Sequence, residues 1–212
     1  MYALYYAPGA ASLAVHWMLV ELGVPHELRK VDLEKGEQRT AGYLKLNPNG
    51  RVPTLIVEGR PQTETAALLM LLAERHPERL LSVAPGEAGR GDYLQWMFHL
   101  ANTLQPAFRA WFYPAEAAGA AHADAAMAEA RDRIEAEWAL IDGLLADGRA
   151  FLLGDRLTAA DFLATMLMRW SRNMPKPARA FANVAAYELR MKAMGSLREV
   201  HRREGLTDWI GA

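Results

Sequence analysis

This chain of 212 residues predicts an α/β domain followed by an all-α domain, and three observations carry that expectation. Within residues 1–81 short extended runs alternate with apolar helical stretches. Residues 82–91, SVAPGEAGRG, then concentrate Gly and Pro between two strongly apolar helices, which marks a linker. Beyond them every apolar pattern has helical spacing. The expected division is therefore a first domain at 1–81, a linker at 82–91 and a helical domain at 92–212, each domain of ordinary size.

Tyr2 to Tyr6 favours a buried strand, and Ala7-Pro8-Gly9 breaks it. Ser12 to Leu22 has helical spacing, with Gly23 suited to the left-handed position after a helix end. Pro25 starts the extended run HELRKVDL, and residues 35–50 form a polar loop with room for one helical turn. Thr54–Val57 and Gln62–Thr63, joined through Glu58-Gly59-Arg60-Pro61, read as an antiparallel hairpin. Glu64-Thr65 then opens an apolar helix that runs to Pro77. The order is β-α-β-(α)-β-β-α, a mixed four-stranded sheet with helices.

In the second part a helix spans Asp92 to Pro114, bent at Pro106, because a mid-helix proline removes a hydrogen bond and clashes one turn back. The Ala-rich stretch after it reads as a loop or helix edge. Met127, Ile134, Trp138, Ile141 and Leu145 recur at helical intervals and predict one buried stripe, with Gly148 ending the helix. From Leu157 to Trp170, Thr158 can cap a helix while Asp161 reaches back to the Thr158 amide, flanked by Leu157 and Phe162 as an apolar staple. Two closing helices follow. Met70, Trp96 and Met97 belong to core or subunit contacts.

Composition excludes several classes. Residues 1–80 carry nine basic and nine acidic side chains and the remainder fifteen and sixteen, so no basic patch marks a nucleic-acid partner. There is no cysteine, hence no disulfide and no protein thiol nucleophile. Any sulfur chemistry must come from a ligand. Six scattered histidines lack metal-ligand spacing, so no metal is expected. No apolar run has membrane-spanning length and no secretory pattern opens the chain, which makes a soluble cytoplasmic protein with no membrane partner the expectation.

The stretch NPNGRVPTLIVEGRPQTET, residues 47–65, offers main chain and charge to a small peptide. Pro53 stands where a strand begins, its X-Pro bond can be cis at modest cost, and a cis bond there would turn the Val52 main chain outward. Glu64 and Thr65 stand at a helix N-terminus, where unpaired amides and the helix dipole favour a carboxylate. With the capping pair Thr158 and Asp161, these motifs make nearly the whole chain resemble the cytosolic glutathione S-transferases, whose first domain is thioredoxin-like and whose second is all-α. The segment YYAPGAASLAVH resembles the bacterial beta class, except that Ala11 stands where that class has its active-site cysteine.

The resemblance implies that Val52 pairs its backbone with the cysteinyl unit of glutathione beside Pro53, that Glu64 and Thr65 take the γ-glutamyl end, and that Lys35 and Arg51 face the glycyl carboxylate. Arg51 departs from the amide side chain often found there. A free thiol of this type has a pKa of about 8.5 and needs activation at neutral pH. Ser12 and Tyr6 are the candidate donors to sulfur, with the backbone amides at the helix N-terminus as the third. A nucleophilic Ser12–His16 pair is rejected, since neither an acidic orienter nor a nucleophile elbow accompanies it in sequence. The same resemblance implies an electrophile pocket lined by Tyr6, Ala10, Phe108, Trp111 and Phe112, and a homodimer formed through the helix after Glu64 and the first all-α helix. It implies a transferase that uses glutathione as co-substrate against small hydrophobic electrophiles, as in detoxification. A glutathione-dependent disulfide reductase or peroxidase, and a non-catalytic binding scaffold, stand as alternatives.

Overall fold

The computed structural model describes residues 1–210. They form two compact units: Met1–Ser82 joined by the C-terminal stretch from Lys192, and Val83–Met191. No helix among the described residues is long and apolar enough to cross a membrane.

The first unit is built on strands β1 (Tyr2–Tyr6), β2 (His26–Lys30), β3 (Thr54–Val57) and β4 (Arg60–Gln62), in the order β2-β1-β3-β4. β1 runs parallel to β2 and antiparallel to β3, and β3 is antiparallel to β4. This is the mixed sheet expected of a thioredoxin-like domain. Helix α1 (Ser12–Leu22) ends on Gly23, whose φ of 70° is a conformation that glycine adopts without cost. It packs on β1, on α3 (Thr65–Arg75) and on α10 (Gly195–Glu204). That three-sided burial explains why Leu13, Ala14, Val15, Trp17, Met18 and Leu19 are all buried instead of one stripe.

The hairpin is tighter than its sequence implies. Glu58 and Gly59 alone form the turn, both with positive φ (52° and 77°), the signature of a two-residue type I′ connection. Arg60 and Pro61 therefore join the strand; β4 is an edge, where a proline without an N–H is tolerated. The loop after β2 contains the short helix α2 (Ala41–Leu44), capped by the Thr40 hydroxyl, which accepts the Tyr43 N–H. The Val52–Pro53 peptide is cis.

The second unit comprises α4 (Arg90–His99), α5 (Gln105–Phe112), α6 (Pro114–Ala118), α7 (Ala123–Leu145), α8 (Ala159–Ser171) and α9 (Ala182–Lys192). The disturbance expected at Pro106 takes the form of a π-helical turn over Leu100–Leu104, closed by the Gln105 N–H donating to the Leu100 carbonyl. The wider turn leaves room for a residue that cannot donate. On α7, Ala130, Ile134, Trp138, Ile141 and Leu145 are buried, while Met127 is only half-buried. The Asp142 carboxylate of α7 accepts the Asn183 and Val184 N–H groups at 2.7 and 3.1 Å, capping α9 from outside its own sequence.

At the start of α8 the Asp161 carboxylate has no exposed surface and gathers four donors. These are the Thr158 N–H (2.8 Å), the Thr158 hydroxyl (3.1 Å), the Leu152 N–H (3.0 Å) and the Tyr187 hydroxyl (2.7 Å). The capping pair is thus also the hub that ties the loop before α8 to α9. Burial raises the Asp161 pKa despite these donors. Folding consequently favours its proton: this contribution is full below the unfolded carboxyl value and shrinks as pH rises through the raised one.

The last helix departs from the expected division at 92–212. Trp17 donates its indole N–H to Ser196 at 2.8 Å, and Ser196 donates to Glu21, so α10 is fastened to α1 in the first unit. The linker also differs, since Arg90 and Gly91 already belong to α4.

Candidate functional site

Three sets of unpaired main-chain groups gather at one end of the sheet. Tyr5 pairs with Thr54. Carried one and two residues further, that register sets Tyr6 level with Pro53 and Ala7 level with Val52. The Val52 N–H and C=O have no partner among the described residues, and the residue is half-buried. β3 pairs Leu55 with Gln62, so the same extension brings Glu64 alongside Pro53. There α3 begins, with the Thr65, Ala66 and Ala67 N–H groups unpartnered and no side-chain cap. The third set lies at α1, where the Ala11 and Ser12 N–H groups are likewise unpartnered. Thr65 links the two helix ends by donating its hydroxyl to the Ala11 carbonyl over a long 3.4 Å.

Unpaired amides at two helix N-termini beside a free main-chain edge suit a ligand with carbonyl and carboxylate groups. Glu64 adds a second sign. It is exposed and holds φ at 69°, a strained conformation for a residue with a side chain. Its carboxylate is the group suited to a ligand's ammonium. Glu64→Gly should relieve the backbone and raise stability by about 0.5–1 kcal/mol while weakening the binding of a ligand that brings an ammonium group to this helix end. Denaturant titration beside calorimetry checks both halves, and a variant unchanged in affinity would remove Glu64 from the site.

Support for the Val52 segment comes from residues that its motif does not advertise. The Arg51 carbonyl accepts both the Tyr43 hydroxyl and the Asn47 side-chain N–H at 2.7 Å, and Tyr43 also meets Thr54 at 2.9 Å. The Asn47 of NPNG was the visible clue, as a turn residue able to bind nearby main chain. The Arg51 side chain is exposed. Lys35 is exposed and paired with Asp32 at 2.9 Å, which raises the lysine pKa and lowers that of the carboxyl.

Ser12 is fully buried, and its hydroxyl exchanges hydrogen bonds with the Ala7 N–H and C=O at 3.2 Å. It closes the loop between β1 and α1. Tyr6 is half-buried, and burial followed by the charge of Glu204 raises its pKa, so it stays a protonated donor at neutral pH. Ala10 is half-buried in the same loop. In the second unit Phe108 is fully buried between Trp138 and Trp170, with ring centroids 6.5 and 5.9 Å away, and so fills core. Phe112 is 46% exposed and Trp111 half-exposed, leaving these two as the accessible aromatics of α5.

His16 does have an acidic partner, since Nδ1 lies 2.8 Å from Glu204, far along the chain. Ser12 bonds Ala7 instead of His16, so no relay connects them. No group of His, Asp and Glu suited to holding a metal occurs among the described residues.

A thioredoxin-like sheet that presents unpaired main chain beside a proline and two helix N-termini, in a chain whose other unit is helical, defines a glutathione-transferase architecture. Comparison with known proteins agrees. Residues 10–75 match the glutathione S-transferase N-terminal domain and residues 124–212 the C-terminal domain. A glutathione S-transferase of Xanthomonas campestris is 31% identical, covering 96% of this chain and 98% of that one. Glutathione S-transferase GstA of Escherichia coli O157:H7 is 28% identical over the same shares. The solved sphingomonad glutathione S-transferase complexed with glutathione is 30% identical with a TM-score of 0.84, over 97% of this chain and all (100%) of that one. The chain belongs to the glutathione S-transferase family, an enzyme family, and its solved neighbours include a bacterial beta-class member from Sphingomonas chungbukensis.

Proposed function

We propose that this protein binds glutathione along the Val52 main chain and the α3 N-terminus, and holds its sulfur as a thiolate at the α1 N-terminus for attack on a small hydrophobic electrophile. The observation that carries this reading is the convergence of unpaired amides at Val52, Ala11–Ser12 and Thr65–Ala67. The cysteinyl unit pairs with Val52 beside Pro53. The γ-glutamyl carboxylate takes the α3 amides and the Thr65 hydroxyl, and its ammonium takes Glu64. The glycyl carboxylate is left to Arg51, or to Lys35 once it releases Asp32. With no cysteine in the chain, glutathione supplies the reacting sulfur. In the reaction the thiol loses its proton to solvent, and the thiolate forms the bond to carbon as the leaving group departs.

Two roles separate the candidate activators. Ser12 holds the loop through Ala7, and the donors facing the sulfur are the α1 amides and the Tyr6 hydroxyl. Trp111 and Phe112 are the pocket candidates for the electrophile, and a homodimer through α3 and α4 completes the reading. Tyr6→Phe should lower kcat for aryl halide conjugation about tenfold with little change in glutathione affinity, as expected for a donor lost chiefly to the thiolate. Ser12→Ala should lower kcat and thermal stability together. Tyr6→Phe with unaltered turnover would pass the role to the amides. Comparing aryl halide conjugation with hydroxyethyl disulfide reduction separates transferase from reductase.

A further inference from the structure

The Glu204 carboxylate, in the last turn of α10, grips two elements at once. Oε2 accepts the Gly9 N–H at 2.8 Å, and Oε1 meets His16 Nδ1 at 2.8 Å. Neither side chain of the His16–Glu204 pair has exposed surface, and His16 Nε2 has no hydrogen-bond partner among the described residues. A buried ionic pair adds little stability over an apolar replacement. What it adds is direction, and here the direction ends on Gly9. That glycine sits at φ 69° in the loop from Ala7 to Ala11 that delivers the chain to α1. The other titratable groups around the pair are Tyr6 of β1, with its ring 6.0 Å from that of His16, and His26 of β2, 5.7 Å away and approached by Arg203 of α10 at 3.5 Å.

We propose that Glu204, braced by His16, is a positioning residue that sets the Gly9–Ala11 main chain so that the first amides of α1 face the glutathione sulfur. This inference rests on the reading that the sulfur sits at that helix end. It also opposes a simpler electrostatic role. A carboxylate acting only through its charge would disfavour a nearby thiolate, so its removal would help the chemistry. Removal of a positioning carboxylate harms it. The two roles therefore predict opposite signs.

The test compares Glu204→Ala with Glu204→Gln. Glutamine keeps an oxygen for Gly9 and offers its N–H₂ to His16 Nδ1, so it preserves the geometry without the charge. Turnover and KM for glutathione are measured from about pH 6 to pH 9, spanning the ordinary thiol value. Glu204→Ala should lower kcat about tenfold at neutral pH, as raising the pKa of a bound thiolate by about one and a half units toward the ordinary thiol value would do, with the deficit closing as pH rises and KM within about threefold. Glu204→Gln should stay within about threefold of the parent in kcat. Amide exchange without glutathione should quicken across Gly9–Leu13 in the alanine variant and not in the glutamine one. A lowered thiol pKa in Glu204→Ala, or unchanged exchange over that segment, would overturn the inference. Failure of the parent protein to bind glutathione in calorimetry would instead overturn the functional reading, and the exchange data would still judge the clasp.

Discussion

Replacing Asp161 with alanine should cost the folded protein at least about 3 kcal/mol, because the Thr158 N–H and hydroxyl, the Leu152 N–H and the Tyr187 hydroxyl all lose the acceptor they share inside the second unit. An exposed helix cap is worth only about 1 kcal/mol. Here the cap is buried, and the orphaned donors cannot reach solvent. Asp161→Asn should recover only part of the loss, since its N–H₂ would face other donors. The penalty of the alanine variant should also grow below the raised Asp161 pKa, where the parent carboxyl gains its proton on folding. Urea titration of the three proteins gives the values. A loss under about 1 kcal/mol would reduce Asp161 to an ordinary cap.

The second large effect is on binding. Thr65→Val keeps the shape of a buried residue while removing the hydroxyl that lies between the α1 and α3 N-termini. A hydrogen bond to a charged group contributes about 1.5–3 kcal/mol, so glutathione affinity should fall roughly 10- to 100-fold. The long bond to Ala11 contributes little, so the thermal midpoint should barely move. Calorimetry with glutathione measures the first and a melting curve the second. Equal affinity in variant and parent would take the γ-glutamyl carboxylate away from α3.

Much of this arrangement is legible in the residues because its causes are local. Gly23 after α1, Thr158 with Asp161 at α8 and Pro53 at the start of β3 each act within a few positions of themselves, and the structure places each as its neighbours imply. The hairpin turn is shorter than its residues imply because Glu58, not only Gly59, takes positive φ, which side-chain identity does not announce. The allegiance of α10 was hidden for another reason. Its ties run from Ser196 to Trp17 and from Glu204 to His16 and Gly9, across almost the whole chain, and no spacing rule reaches that far. Aromatic residues on α5 show the same limit: periodicity puts Phe108 on an apolar face, and only packing reveals that Trp138 and Trp170 close over it.

The most direct measurement is a crystal structure of the protein soaked with glutathione. The cysteinyl N–H and C=O should pair with the Val52 main chain at ordinary distances of about 2.8–3.1 Å, with the sulfur within hydrogen-bond reach of the Ala11 or Ser12 amide or the Tyr6 hydroxyl. Glutathione bound elsewhere, with Val52 left unpaired, would contradict that expectation.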